Sequence, residues 1–174
     1  MKISGVAGIA LFAALCGAAR ADVAEQAKPD TPPAKLAGFA LGQRIDVHDA
    51  AVRKSLGLED PVVVTRFDLK LEYLSCEVAK PSGGFDEATV DLTTNGVVCA
   101  VTGTYACENF EAAKRKAAEM RKQYADEFAG RFSDDGPYVL DVYADDSYAE
   151  VRLSTNDFRK SLNSRTPGFS GERP

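Results

Sequence analysis

The sequence is poor in the residues on which most catalytic and metal sites depend. It has one histidine, His48, no tryptophan and four cysteines, none of them in a Cys-x-x-Cys pair. A single histidine excludes metal sites built from several imidazoles, and no cysteine spacing fits a zinc site. His48 precedes Asp49 in a predicted helix, where adjacent side chains point in different directions and cannot form a catalytic pair. We therefore predict no metal, no cofactor and no enzymatic activity.

The chain also lacks an excess of positive charge. Its formal charge is −5, and basic and aromatic residues are not interleaved along it. Nucleic acids and anionic membrane surfaces both attract a positive face. We therefore expect neither of them as a partner.

The first 21 residues have the pattern of a secretory signal peptide. Lys2 precedes a short apolar run, and Ala19-Arg20-Ala21 is a small-x-small cleavage site. Lipidation at Cys16 is an alternative, although Leu15 is larger than the residue that normally precedes a lipidated cysteine. Cleavage after Ala21 predicts a periplasmic or secreted protein without stable membrane insertion, and the loss of Lys2 and Arg20 takes its charge from −5 to −7.

The mature chain is predicted to contain one domain. Residues 22–36 are polar and contain three prolines, which is typical of a flexible leader. Residues 37–162 hold the periodic apolar segments, and residues 163–174 lack apolar period and are expected to be disordered. This gives a signal peptide, a leader, a domain and a tail.

The stretch from Glu87 to Phe128 predicts the fold class. Alternating apolar residues on both sides of Asn95-Gly96 indicate a β-hairpin, with Val97, Cys99 and Val101 on its inner face. The segment 109–128 then has apolar residues at helical spacing, at Phe110, Ala113, Ala117, Met120, Tyr124 and Phe128. A sheet with one apolar face and a helix with one apolar stripe cover each other. We predict an α+β fold with a mainly antiparallel sheet of five or six strands and this helix across one face.

Further segments complete the predicted fold. We expect a short helix over 46–56 with Asp46 as its cap, and a short closing helix that runs to Leu162. Strands are predicted at 62–67 and 71–80, and a last hairpin at 138–143 and 148–153.

The three cysteines of the mature chain predict one disulfide in an oxidising compartment. Cys99 and Cys107 are close in sequence along an extended strand, which disfavours a bridge between them. We predict a Cys76–Cys107 disulfide and a buried Cys99 thiol.

The last hairpin is strongly acidic and provides the candidate binding residues, which are Asp141, Tyr143, Asp145, Asp146, Tyr148 and Glu150. A turn at Asp145-Asp146 would place Asp141 opposite Glu150 and Tyr143 opposite Tyr148. Like charges that face each other destabilise a sheet. One interpretation is a solubilising edge that prevents aggregation; the other is a surface for a basic protein partner.

By elimination, the sequence predicts an exported, non-catalytic interaction module that uses its acidic hairpin and sheet edge as the contact surface. Two alternatives stay open. One is a small-ligand carrier with a cavity between sheet and helix, and the other is an enzyme of unrecognised type.

Overall fold

The computed structural model describes residues 34–128 and 136–163. The predicted signal peptide, Cys16, nearly all of the leader and the tail after Asn163 lie outside the described residues. The described elements are, in chain order, β1 (Lys35–Leu36), β2 (Phe39–Ala40), α1 (Ala50–Leu56), β3 (Val62–Arg66), β4 (Leu71–Glu77), β5 (Glu87–Thr93), β6 (Val98–Ala106), α2 (Phe110–Glu127), β7 (Tyr138–Ala144), β8 (Tyr148–Thr155) and α3 (Asn156–Asn163).

A six-stranded antiparallel sheet forms the centre of the molecule. Its strand order is β3-β4-β5-β6-β8-β7, so β3 and β7 are the two edge strands. The Asn95-Gly96 hairpin joins β5 to β6 as predicted, with Gly96 at a φ of 76°. A β-bulge shifts the register so that Leu92 pairs with Val98 while Asp91 pairs with Ala100. Cys99 is the extra residue of this bulge.

Helix α2 covers one face of the sheet, which we call the helix face. It packs on β6, β7 and β8 through its apolar stripe, of which Ala113, Ala117, Met120, Tyr124 and Phe128 are buried. Phe110, predicted to belong to the stripe, is 42% exposed. Asn109 caps the helix by accepting a hydrogen bond from the amide of Ala112 at 3.0 Å. The predicted α+β fold, with one long helix on the sheet, is confirmed.

The other face of the sheet, the opposite face, is covered only in part among the described elements. Helix α3 packs against β8 and β7 there. Its Phe158 meets Tyr73 edge to face, with ring centroids 5.2 Å apart, and contacts the buried pair Cys99 and Ala100. Cys99 was expected on the inner face of β6 with Val101. The bulge is the physical reason that it lies on the opposite face.

The segment before β3 differs from the prediction in two ways. Helix α1 begins one turn later than expected because Asp49, and not Asp46, accepts hydrogen bonds from the first helical amides. His48 therefore precedes the helix and is exposed. The short β1–β2 hairpin was not predicted, and Leu36, expected in the flexible leader, is 3% exposed.

Candidate functional site

The acidic hairpin β7–β8 has a register that differs by two residues from the prediction. Asp141 faces Arg152, and Tyr143 faces Glu150. The turn contains more residues than Asp145-Asp146, since the amide of Asp145 donates to the carbonyl of Tyr148 at 2.9 Å. The longer turn moves every partner by two positions but keeps each side chain on its face. The predicted pairs Asp141–Glu150 and Tyr143–Tyr148 are therefore wrong.

Asp141 is a paired carboxylate. Arg159 of α3 contacts it at 3.1 Å, and the Asp141 side chain is only 18% exposed. Arg152 lies directly across the strand pair. The charge repulsion that favoured a basic partner at this position does not exist.

The other predicted binding residues divide into two groups. Glu150 and Tyr143 lie side by side on the opposite face, where burial is the main cause that raises the pKa of each. At the hairpin tip, the exposed Asp145 accepts hydrogen bonds from the amide of Asp146 at 2.7 Å and from the hydroxyl of Tyr148 at 2.9 Å. These bonds lower the pKa of Asp145. The tip is a self-contained turn and does not join the sheet-face residues in one cluster.

A buried carboxylate that the sequence did not indicate as special lies at the middle of the opposite face. Asp91 of β5 accepts a hydrogen bond from the Ser75 hydroxyl at 2.8 Å and from the Arg152 guanidinium at 2.9 Å. Its side chain is 9% exposed, and burial raises its pKa while the two partners lower it. Because each carboxylate oxygen has a partner, this arrangement joins β4, β5 and β8 and leaves neither oxygen without a hydrogen bond.

A buried thiol, Cys99, lies beside this carboxylate. Cys99 donates to the backbone carbonyl of Asp91 at 3.3 Å, and burial raises the pKa of the Cys99 thiol to about 12. A protonated, buried thiol is a poor nucleophile.

The predicted Cys76–Cys107 disulfide is not formed, and among the described residues Cys76, Cys99 and Cys107 are all free. Cys76 pairs with Val90, which in turn pairs with Val101 of β6. Cys107 follows β6, six residues beyond Val101, so at 3.3 Å per residue it lies roughly 20 Å farther along the strand direction. Disulfides need Cα atoms within about 7 Å.

The most apolar exposed surface lies at the β3 edge of the sheet. Val62, Val63 and Phe67 are 63%, 58% and 87% exposed, more than any other large apolar side chain in the described part of the chain. β4 is the only described element with which β3 makes more than a marginal contact. Sequence analysis identified this strand but not its position at an edge. The run of three valines at 62–64 was the feature of the sequence that could have indicated an exposed apolar strand.

The backbone of β3 offers hydrogen-bonding groups to a further strand. The amide of Val78 donates to the carbonyl of Ala88, so the even-numbered residues of β4 bond towards β5. The odd-numbered residues of β4 bond towards β3, where Tyr73 pairs with Val64. Val63 and Thr65 consequently direct their N–H and C=O groups away from the sheet.

A cavity of about 280 Å³ lies between the segment before α1 and the β5–β6 turn. Arg44, Asp46, His48 and Asn95 are among its lining residues. A small-ligand carrier was expected to hold its ligand between the sheet and α2. This cavity lies elsewhere, outside the contact between α2 and the sheet.

The described residues contain no group of three or more His, Cys, Asp or Glu side chains placed to hold a metal ion. No helix within residues 34–128 and 136–163 is long and apolar enough to cross a membrane. The chain matches no protein-family model, no curated protein and no solved structure.

Proposed function

We propose that this protein is an exported, non-catalytic interaction module whose contact surface is the β3 edge. The observation that carries the proposal is the combination of exposed apolar side chains and outward-directed backbone groups on one edge strand. Natural sheets usually protect an edge with lysine, proline, a bulge or a covering element. Within β3, Val-Val-Val-Thr-Arg has no lysine, proline or bulge; Pro61 lies directly before the strand, and β3 is an edge strand with no strand beyond it among the described residues.

Strand addition to this edge would combine two sources of affinity. The backbone groups of Val63 and Thr65 would bond to the added strand, and the valine side chains would lose water contact on both faces. Neither source needs a nucleophile, a cofactor or a pocket. The predicted signal peptide supports export, and the paired state of Asp91 and Asp141 supports a non-catalytic role.

Site-specific photo-crosslinking in the cells that make the protein tests this proposal. A benzophenone amino acid would replace Val63 in one variant, Tyr143 of the acidic hairpin in a second, and Arg115 on the exposed side of α2 in a third. We expect one defined product from position 63, mapped by mass spectrometry to one peptide, and none from positions 143 and 115. A product from position 143 alone, or no product from position 63, would overturn the proposal.

A further inference from the structure

We propose that the strand added to β3 is β3 of a second copy of this chain, which gives a dimer with a continuous twelve-stranded sheet. This inference rests on the proposed role of the β3 edge and names the partner. Antiparallel pairing of two identical edges places a two-fold axis perpendicular to the sheet. Each residue is then paired with a residue whose side chain lies on the same side of the joined sheet. The two residue numbers of every such pair therefore add up to an even number.

Charge complementarity separates the register centred on Val63 from the one centred on Val64. When Val63 faces Val63 of the second copy, Asp60 faces Arg66 and each occurs twice in the dimer. In a register shifted by two residues, Val64 faces Val64 of the second copy, and Asp60 faces Asp68. Opposite charges across a strand pair stabilise it and like charges destabilise it. In one copy Asp60 is paired with Arg53 and Arg66 with Asp68, but the side chains of Asp60 and Arg66 are still 88% and 46% exposed, so each keeps room for a partner across the axis.

The same register brings the valines together. Val62 faces Val64 of the second copy in both halves of the dimer. Val63 directs its backbone groups towards the second copy, so Val63 forms a hydrogen-bonded pair. The neighbouring Val62 and Val64 then form non-hydrogen-bonded pairs, in which the side chains approach most closely. The residues that are exposed in one copy thus become the centre of the contact.

The contact is small. It involves five-residue strands, and Pro61, which faces Thr65 of the second copy, has no N–H to donate, so the contact contains few hydrogen bonds. We therefore expect a dimer that dissociates on dilution.

Disulfide trapping tests the partner and the register together. In a Cys16→Ser, Cys107→Ser background, Val63→Cys places two thiols at Cα positions about 5.5 Å apart, which a disulfide can join. Val64→Cys is the matched control, because its two copies lie diagonally about 7–8 Å apart. We expect a covalent dimer on mild oxidation from Val63→Cys and little from Val64→Cys. The reverse result would overturn the proposed register, and no dimer from either variant would overturn the pairing.

Sedimentation equilibrium provides a second readout that does not need new cysteines. Val63→Lys puts two like charges against each other on the axis, and we expect it to raise the dimer Kd about tenfold or more. Ala118→Lys makes the same charge change on the exposed side of α2 and should leave Kd unchanged. Melting temperatures close to that of the parent chain show that both variants fold. A wild-type monomer at every concentration, or a Kd that Val63→Lys does not change, would contradict the proposal.

The two proposals fail separately. If position 63 photo-crosslinks to a different protein while Val63→Cys forms no dimer, the edge is a contact surface and self-association is wrong. If neither experiment gives a product, both proposals are wrong.

Discussion

The two edges of the sheet contrast sharply. β7 has α2 against one face and α3 against the other, and Asp141 on it is paired with Arg159. β3 has only β4 beside it among the described elements, and four of its five residues are exposed. The contrast shows that one sheet can combine an edge secured by its own chain with an edge left open to another strand.

The carbonyl of Val142 illustrates how β7 is protected. Asp145 bonds to Tyr148, and residues alternate along an antiparallel ladder, so the carbonyl of Val142 points away from β8. Arg121 of α2 donates to this carbonyl at 2.8 Å. A side chain from the same molecule therefore occupies an acceptor that an added strand would need.

The largest expected difference between the β7 edge and the β3 edge is in the stability that side-chain packing provides. Met120 of α2 is 1% exposed over the β7 half of the sheet, and Met120→Ala should lower the free energy of unfolding by about 3 kcal/mol. Val62 of β3 is 63% exposed, and Val62→Ala should change it by less than about 0.5 kcal/mol. Urea denaturation of dilute protein measures both values. Similar losses from the two variants would contradict the contrast in packing.

A somewhat smaller effect concerns ion pairs. Arg152→Ala removes the charge-assisted hydrogen bond to the buried carboxylate of Asp91 and, because Arg152 is itself partly exposed, should cost about 2–3 kcal/mol. The control is Arg66→Ala, which breaks an exposed pair with Asp68 and should leave the denaturation midpoint of dilute, monomeric protein unchanged. If Arg152→Ala is also neutral, the Asp91 contact does not contribute to stability.

Removal of the β7 protection should have a smaller effect on stability. Arg121→Ala frees the outward carbonyl of Val142 and should cost about 0.5–1 kcal/mol. Because the edge is then less protected, we also expect more aggregation on heating, measured by light scattering. Lys122→Ala is the control, since it removes a charge from the exposed side of the same helix. Equal aggregation of the two variants would show that Arg121 does not protect the edge.

The pH dependence of stability should show the smallest effect. Burial raises the folded pKa of Asp91 above the ordinary value of 3.8, against the opposing influence of Ser75 and Arg152. Its contribution to stability is then fully present below the unfolded pKa and is lost as pH rises through the folded pKa. Wild-type protein should therefore lose stability relative to Asp91→Asn as pH rises from about 4. Denaturation midpoints of both proteins from pH 4 to 8 measure this, and a trend of the opposite sign would contradict the pKa direction.

The parts of the fold that the sequence predicted depend on local patterns. The alternation around Asn95-Gly96 and the apolar stripe of α2 are signals within one segment, and both elements formed where expected. The β1–β2 hairpin was missed because two-residue strands are too short to show a period. The start of α1 was displaced because Asp46 and Asp49 are both suitable caps, and the sequence alone does not choose between them.

The candidate site was harder to predict because it depends on register. A difference of two residues in the β7–β8 turn placed Arg152, and not the predicted Glu150, opposite Asp141. The disulfide prediction failed for a related reason, since the offset between distant strands separates Cys76 from Cys107. That β3 lies at an edge follows from the strand order, which local periodicity does not contain.

Hydrogen–deuterium exchange across a range of protein concentrations tests the contrast between the edges most directly. Val63 and Thr65 of β3 have amides directed away from the sheet, as do Leu140 and Val142 of β7. We predict that protection of the β3 amides rises with protein concentration, while protection of the β7 amides stays constant. Constant exchange at β3, or a concentration-dependent change at β7 in its place, would contradict the claim that β3 is the edge through which the protein associates.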